Sequence, residues 1–171
     1  MRVIAGSAGR LPLQVPKSIV RPSTDRLREA LFSILMGRLE GARVLDLFAG
    51  SGALGIEALS RGAARAVFVD SKKEAIETIR KNLERTRLEE KGLCRRGEVF
   101  QFLKEPLESP FDLILADPPY QKQAHEVDLG HQLLVGSPLA EWLAPDGLLV
   151  LERFQSEPPA ETGPWELTDV R

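Results

Sequence analysis

Residues 44–55 restrict the chain to a small set of folds. Val44-Leu45-Asp46-Leu47-Phe48 is an apolar run interrupted by a single acid, and it passes through Ala49 into Gly50-Ser51-Gly52-Ala53-Leu54-Gly55, a G-x-G-x-x-G turn that opens a helical segment reaching Ser60. A short strand that is apolar at nearly every position is buried on both faces, and a parallel sheet covered by helices provides that environment. The same alternation continues downstream. Ala66 to Asp70 reads as a second strand, followed by a helix from Lys72 to about Arg87 with Ile76, Ile79 and Leu83 turned inward. A third strand is placed near Gly92 to Arg96, a fourth at Phe111 to Ala116 and a fifth at Gly147 to Glu152, with helical segments at His125 to Val135 and Pro138 to Leu143. The spacing predicts right-handed crossovers and a doubly wound, mostly parallel α/β sheet.

With 171 residues there is room for one domain over 1-171. Residues 43-171 form its Rossmann-like core. Ahead of it, Arg2 to Ala5 with Gly6, Gly9 and Pro12 suggests a hairpin or extended arm within a basic segment, 1-22, and Pro22-Ser23-Thr24-Asp25 starts a covering helix, 23-38. Leu27, Leu31, Ile34 and Leu35 recur at helical spacing as its buried face, leaving Arg26, Arg28, Glu29 and Ser33 on the outer one.

Composition removes several classes of function. The hydrophobic share of 43% and the charged share of 28% are those of a globular protein rather than a disordered one. No apolar run approaches the ~20 residues that span a bilayer, and the first residues carry no secretory pattern, so a cytoplasmic location is expected and no membrane partner. One cysteine and two histidines leave neither a disulfide nor a cysteine-rich zinc site, and no metal is expected. The net charge of -2 hides an uneven distribution: residues 1–43 carry eight Lys or Arg against three Asp or Glu, and the remainder is acidic. A basic end of this kind can face a polyanion, although a solvated basic surface would look the same.

The glycine turn points to a cofactor. Glycines there allow a ligand close to the backbone, and the helix start offers free N–H groups. Asp70 ends the next strand, where a carboxylate can take both hydroxyls of a ribose, so an adenosine-containing molecule is expected. The glycine pattern alone would admit NAD. Asp46, however, lies four residues before the first glycine, where a dinucleotide has no evident use for an acid and a cationic amino group does. S-adenosylmethionine, with its sulfonium, ammonium and ribose, suits Asp46 and Asp70 better than a pyrophosphate would. Gly55 is followed by Ile56-Glu57, which excludes a P-loop; Ala49 stands two residues before Ser51, which excludes a hydrolase elbow; His125-Glu126-Val127-Asp128-Leu129 breaks the zincin pattern.

Asp117-Pro118-Pro119-Tyr120 follows the fourth strand, again at a carboxyl end. Two prolines remove two donors, so the Asp117 carboxylate and the Pro118 carbonyl remain as acceptors for the two hydrogens of a planar amine, with Tyr120 available to stack on its ring. Methylation of pyrimidine carbon would need a cysteine nucleophile, and Cys94 in Leu93-Cys94-Arg95-Arg96 has no such turn around it.

On these residues the chain resembles the class I S-adenosylmethionine-dependent methyltransferases. Within them it is similar to the RsmD family of 16S ribosomal RNA guanine-N2 methyltransferases through Arg21-Pro22-Ser23-Thr24-Asp25-Arg26-Leu27-Arg28-Glu29-Ala30-Leu31-Phe32 and the arm Gly6 to Arg10, with Ser23 in place of a common threonine. The resemblance implies methyl transfer to the N2 of one guanine, in 16S ribosomal RNA within a protein-bound or assembled small-subunit particle, by a monomer. It implies that Asp46, Gly50 and Gly52 hold the methionine part and Asp70 the ribose, with Phe48, Ala49, Ser51 and Ser71 also cofactor-binding. Glu98, where family members often have aspartate, would meet the adenine with Val99, and Thr24 would close over the cofactor. Arg2, Arg10, Lys17, Arg21, Arg26 and Arg28 would contact RNA. The fold of this class ends in an antiparallel pair; Trp165 to Arg171 is expected as its sixth strand, with the last strand missing or supplied by a partner chain. Two rivals stand beside this reading. A DNA adenine-N6 methyltransferase would use the same amine chemistry but needs a target-recognition region, and a non-catalytic RNA-binding assembly factor would have no use for Asp117.

Overall fold

The computed structural model describes residues 1–17, 24–119, 128–152 and 164–169. Among the described residues there are five strands: β1 (Arg43–Leu47), β2 (Arg65–Asp70), β3 (Gly92–Arg96), β4 (Phe111–Ala116) and β5 (Leu143–Leu151). They lie in the order β3-β2-β1-β4-β5, and all four pairings are parallel. The helices are α1 (Asp25–Ile34), α2 (Ala53–Ser60), α3 (Lys73–Thr86), α4 (Val99–Phe102) and α5 (Leu129–Val135), with single 3-10 turns at Met36–Arg38, Glu89–Lys91 and Pro138–Trp142.

Each face of the sheet has its own core. Val44, Phe68, Leu113 and Leu115 pack with Ile56, Leu59, Ile76, Ile79 and Phe32 on one side, and Leu45, Leu47, Val69 and Ile114 pack with Val99, Phe102, Leu133, Leu139 and Trp142 on the other. Central strands buried on both sides are the reason β1 reads as continuous apolar sequence. The doubly wound sheet is therefore as expected, and it is fully parallel among the described residues.

The N-terminal segment is a hairpin. Around the Gly6–Gly9 turn Val3 donates its N–H to the Leu11 carbonyl (3.0 Å) and its carbonyl accepts from Arg10 N–H (2.8 Å), and Arg2 bridges Pro12 in antiparallel fashion. The hairpin is fastened along α2 and α3 by buried side chains. Glu57 accepts from the N–H groups of Ile4 (2.6 Å) and Ala5 (3.0 Å), Ser60 Oγ accepts from Ala8 N–H (2.9 Å), and Asn82 Oδ1 accepts from Gln14 N–H (2.8 Å).

Three expectations are corrected. Of the expected face of α1, Leu35 at its end is buried and Leu31 packs against the core, but Leu27 and Ile34 are 45% and 47% exposed, and Arg28 and Phe32 are buried in their place. The stripe Arg28, Phe32 and Leu35 also has i, i+4, i+7 spacing, and it wins because the Phe32 ring packs beneath the Arg61 guanidinium (5.3 Å) while Arg28 ties the helix to the hairpin. Second, β5 begins at Leu143, four residues before the expected Gly147, because the chain pairs with Phe111 before a register shift. Third, residues 165–169 form no strand; Trp165 instead packs on the second core and donates its indole N–H to the Leu134 carbonyl (2.9 Å).

Candidate active site

Strand register brings the acids together. Leu47 pairs with Val69 on one side and Ala116 on the other, so Phe48, Asp70 and Asp117 leave the sheet at one level, at the carboxyl ends of β1, β2 and β4. In an open parallel sheet whose order reverses beside its first strand, that is where a ligand crevice forms.

The glycine turn fills the space above β1. Phe48, Gly50 and Gly52 all have positive φ (57°, 56° and 75°), which explains two of the glycines and leaves Phe48 as a strained non-glycine residue. Gly55 is required for another reason. A Cβ there would run into the Phe68 ring, and its N–H donates to Asp46 Oδ2 (2.9 Å), drawing α2 tightly onto the strands. Ala49 is fixed by donation of its N–H to the Val69 carbonyl (3.1 Å).

Asp46 is 2% exposed. Burial drives its carboxyl well above the ordinary carboxylate value, the Gly55 N–H pulls it partly back, and the charges of Asp117 and Asp70 push it up again. Asp70 is half-buried; its Oδ2 accepts from Gly50 N–H (2.9 Å) and its Oδ1 from Lys72 N–H (2.8 Å), so each oxygen keeps acceptor capacity toward the crevice. Asp117 is half-buried, Pro118 buried and Pro119 exposed. Tyr120 lies outside the described residues.

The remaining sequence candidates divide. Ser51 is buried and turned inward, its hydroxyl against Met1 Sδ (3.4 Å) and its carbonyl held by Asn82 Nδ2 (2.9 Å). Glu98 is exposed at the end of β3, next to buried Val99, and Ser71 is exposed beyond β2 with its carbonyl facing Arg96 Nε (3.4 Å). Thr24 caps α1, accepting from Leu27 N–H (3.2 Å). Arg2, Arg10, Lys17 and Arg26 are exposed, and Arg21 lies outside the described residues. Arg28 is corrected: it is fully buried, paired with Asp25 (2.7 Å), and presents no surface to an RNA.

Sequence reasoning missed Phe100, whose ring meets Phe48 edge-on at 6.5 Å on the β3 side of the crevice. It also missed Glu57, Ser60 and Asn82, which hold the arm. An acid within the otherwise apolar run 53–59 was the available signal for Glu57.

A family model described as conserved hypothetical protein 95 matches residues 1–171. Ribosomal RNA small subunit methyltransferase D of Haemophilus influenzae is 34% identical over 173 residues, covering 98% of this chain and 86% of that protein. The Escherichia coli K12 protein of the same name is 36% identical over 155 residues, covering 89% and 74%. The chain belongs to the RsmD family. Its fold agrees with that of solved family-like structures. Escherichia coli yhhF superposes with a TM-score of 0.74 at 33% identity, covering 94% of this chain and 86% of that one. A Thermus thermophilus protein gives 0.74 at 36% identity, covering 88% and 84%. In this RsmD-family methyltransferase, Asp70, Asp117 and the glycine turn lie together at the carboxyl ends of β1, β2 and β4.

The donor set fits S-adenosylmethionine. Three carboxylates close enough for two of them to raise the third would repel a phosphate and attract a sulfonium or ammonium. Among the described residues no cluster of His, Cys, Asp or Glu is placed to hold a metal, and no helix is long and apolar enough to cross a membrane.

Proposed function

We propose that this chain transfers a methyl group from S-adenosylmethionine to the exocyclic N2 of a guanine in 16S ribosomal RNA of the small subunit. The observation that carries the reading is the placement of Asp117 directly after Ala116, level with Asp70 and next to the glycine turn, with Pro118 following it. The sulfonium supplies an activated methyl; a fold neighbour at TM-score 0.52 and 18% identity, a Bacillus cereus O-methyltransferase, was solved with SAH. Gly50, Gly52 and Asp46 would line the amino-acid half, Asp70 the ribose hydroxyls, and Glu98, Val99 and Phe100 the adenine side.

The Asp117 carboxylate and the Pro118 carbonyl accept the two amine hydrogens. That fixes the nitrogen lone pair in direction, and the carboxylate opposes the positive charge that grows on nitrogen as the bond forms. Tyr120 stacks on the guanine. The exposed cations Arg2, Arg10, Lys17 and Arg26, with Arg21, hold the phosphate backbone.

Asp117→Asn tests this directly. Methyl transfer to small-subunit particles should fall by about 10²–10³-fold, as for loss of one transition-state electrostatic partner, while S-adenosylhomocysteine affinity measured by calorimetry stays within a factor of a few. Parent-like turnover would remove Asp117 from the chemistry, and a methylated nucleoside other than N2-methylguanosine in digests of the product would overturn the target atom.

A further inference from the structure

Arg28 has no exposed surface, yet its side chain is only partly satisfied. Nη2 donates to the Arg2 carbonyl (2.8 Å) and to Asp25 Oδ1 (2.7 Å). Nε and Nη1 have no hydrogen-bond partner among the described residues. A buried guanidinium with two unfilled donors is unfavourable as a permanent arrangement, because burial removes water without replacing it.

Its position follows from the contacts around it. Arg2, whose carbonyl it holds, follows Met1, and Met1 Sδ touches the Ser51 hydroxyl of the glycine turn (3.4 Å). One turn further along α1, Phe32 packs beneath Arg61, just past the end of α2 (5.3 Å). Helices α1 and α2 therefore run in the same sense, and the N-terminus of α1, with Arg28, lies at the glycine-turn end of the sheet.

The acids decide which ligand group could come here. Asp46, Asp70 and Asp117 lie at or near the carboxyl ends of β1, β2 and β4, and the charges of Asp117 and Asp70 act on Asp46. A ligand bearing both an ammonium and a carboxylate can put only its cationic part among them. Its carboxylate is repelled by them, and the unfilled donors of Arg28 offer it a partner on the hairpin side of the turn.

We propose that Arg28 receives the carboxylate of the amino-acid half of S-adenosylmethionine, making α1 a wall of the cofactor site. This rests on the cofactor assignment above. The outer end of the same network is an exposed ion pair, Arg2 Nε with Asp25 Oδ2 at 3.2 Å. Exposed pairs hold weakly, so the hairpin and helix can part there for a small carboxylate. A phosphate within folded RNA is too bulky for the same path.

The test is calorimetric titration of the full chain with S-adenosylhomocysteine and with its decarboxylated analogue, S-adenosyl-3-thiopropylamine. The parent chain should bind the decarboxylated compound at least about tenfold more weakly, ~1.4 kcal/mol. Arg28→Met, checked for folding by circular dichroism, should bind both compounds equally, and Arg28→Lys should restore part of the preference. A folded Arg28→Met chain that still prefers the carboxylate overturns the proposal while leaving the cofactor assignment standing. A parent chain that binds neither compound overturns both. Should Arg28→Met not fold, the Arg28 Nε nuclear magnetic resonance signal of the parent chain decides: it should move with S-adenosylhomocysteine and stay still with the thiopropylamine, and a signal that stays still with both overturns the proposal.

Discussion

Asp46 sits where its buried charge weakens the fold. Its carboxyl is raised by burial and by the neighbouring acids, so the folded state holds its proton more tightly than the unfolded chain does. Its contribution to stability is therefore most favourable below the ordinary value of 3.8 and declines as pH rises toward the raised value. Asp46→Asn keeps an oxygen for the Gly55 N–H and removes the charge. The variant should match the parent in acid and become more stable as pH rises, reaching about 0.5–2 kcal/mol, or roughly 2–4 °C in Tm per kcal/mol for a chain of this size, while binding S-adenosylmethionine more weakly. Urea unfolding between pH 3 and 7 checks the sign. Asp25 behaves oppositely. Burial raises its carboxyl, but the hydrogen bond and charge of Arg28, helped by Arg2, outweigh that and leave it lowered, so its stabilisation is present above 3.8 and fades as pH falls through the lowered value. The placement of single residues was legible where an acid stood alone near a strand end, as with Asp46, Asp70 and Asp117. Arg28 was not legible, because an arginine on a helix is assigned to the solvent face until its neighbours are known.

At the level of elements, the hairpin and α1 form a unit fastened to α2 and its end. Gly6 is the critical joint. Its φ of +83° is left-handed, and a Cβ there would collide with the Ser60 carbonyl, which itself accepts from Ser7 N–H (2.7 Å). Gly6→Ala should destabilise the chain by about 1–3 kcal/mol, as overpacking against backbone does, and should speed amide exchange at Ile4, Ala5 and Ala8 before β1 or β4 is affected. Uniform exchange throughout the chain would contradict the hairpin's standing as a separate unit. The core strands and α2 and α3 were readable from apolar runs and a 3.6 period. The face of α1 was not, because two stripes of equal spacing run along it, and the choice depends on Phe32 and Arg28 finding partners that lie 29 and 26 positions away in the sequence. The start of β5 was hidden by Pro145 and Asp146, which read as a turn but stand inside an irregular stretch of the strand's pairing.

For the whole molecule, the uneven charge is a statement about affinity. Neutralising Arg10 and Lys17 together should lower binding to ribosomal RNA and flatten its salt dependence by about 0.7–0.9 in the log–log slope for each phosphate left without its cation; an unchanged slope would remove these residues from the interface. The sheet order has a different consequence, which concerns how the chain is made. Val44 pairs early with Ala66 but also with Leu113, so β1 needs partners from both halves of the chain. During synthesis β1, β2 and β3 can assemble once Arg96 has emerged, and the hairpin can dock on α2. The other hydrogen-bonding edge of β1 then stays bare until Ala116 follows, a delay of about 1–4 s at roughly 5–20 residues per second. For that interval a strand whose residues Val44 to Leu47 are all buried in the finished fold presents an unpaired edge, and an encounter with a second nascent chain is most dangerous then.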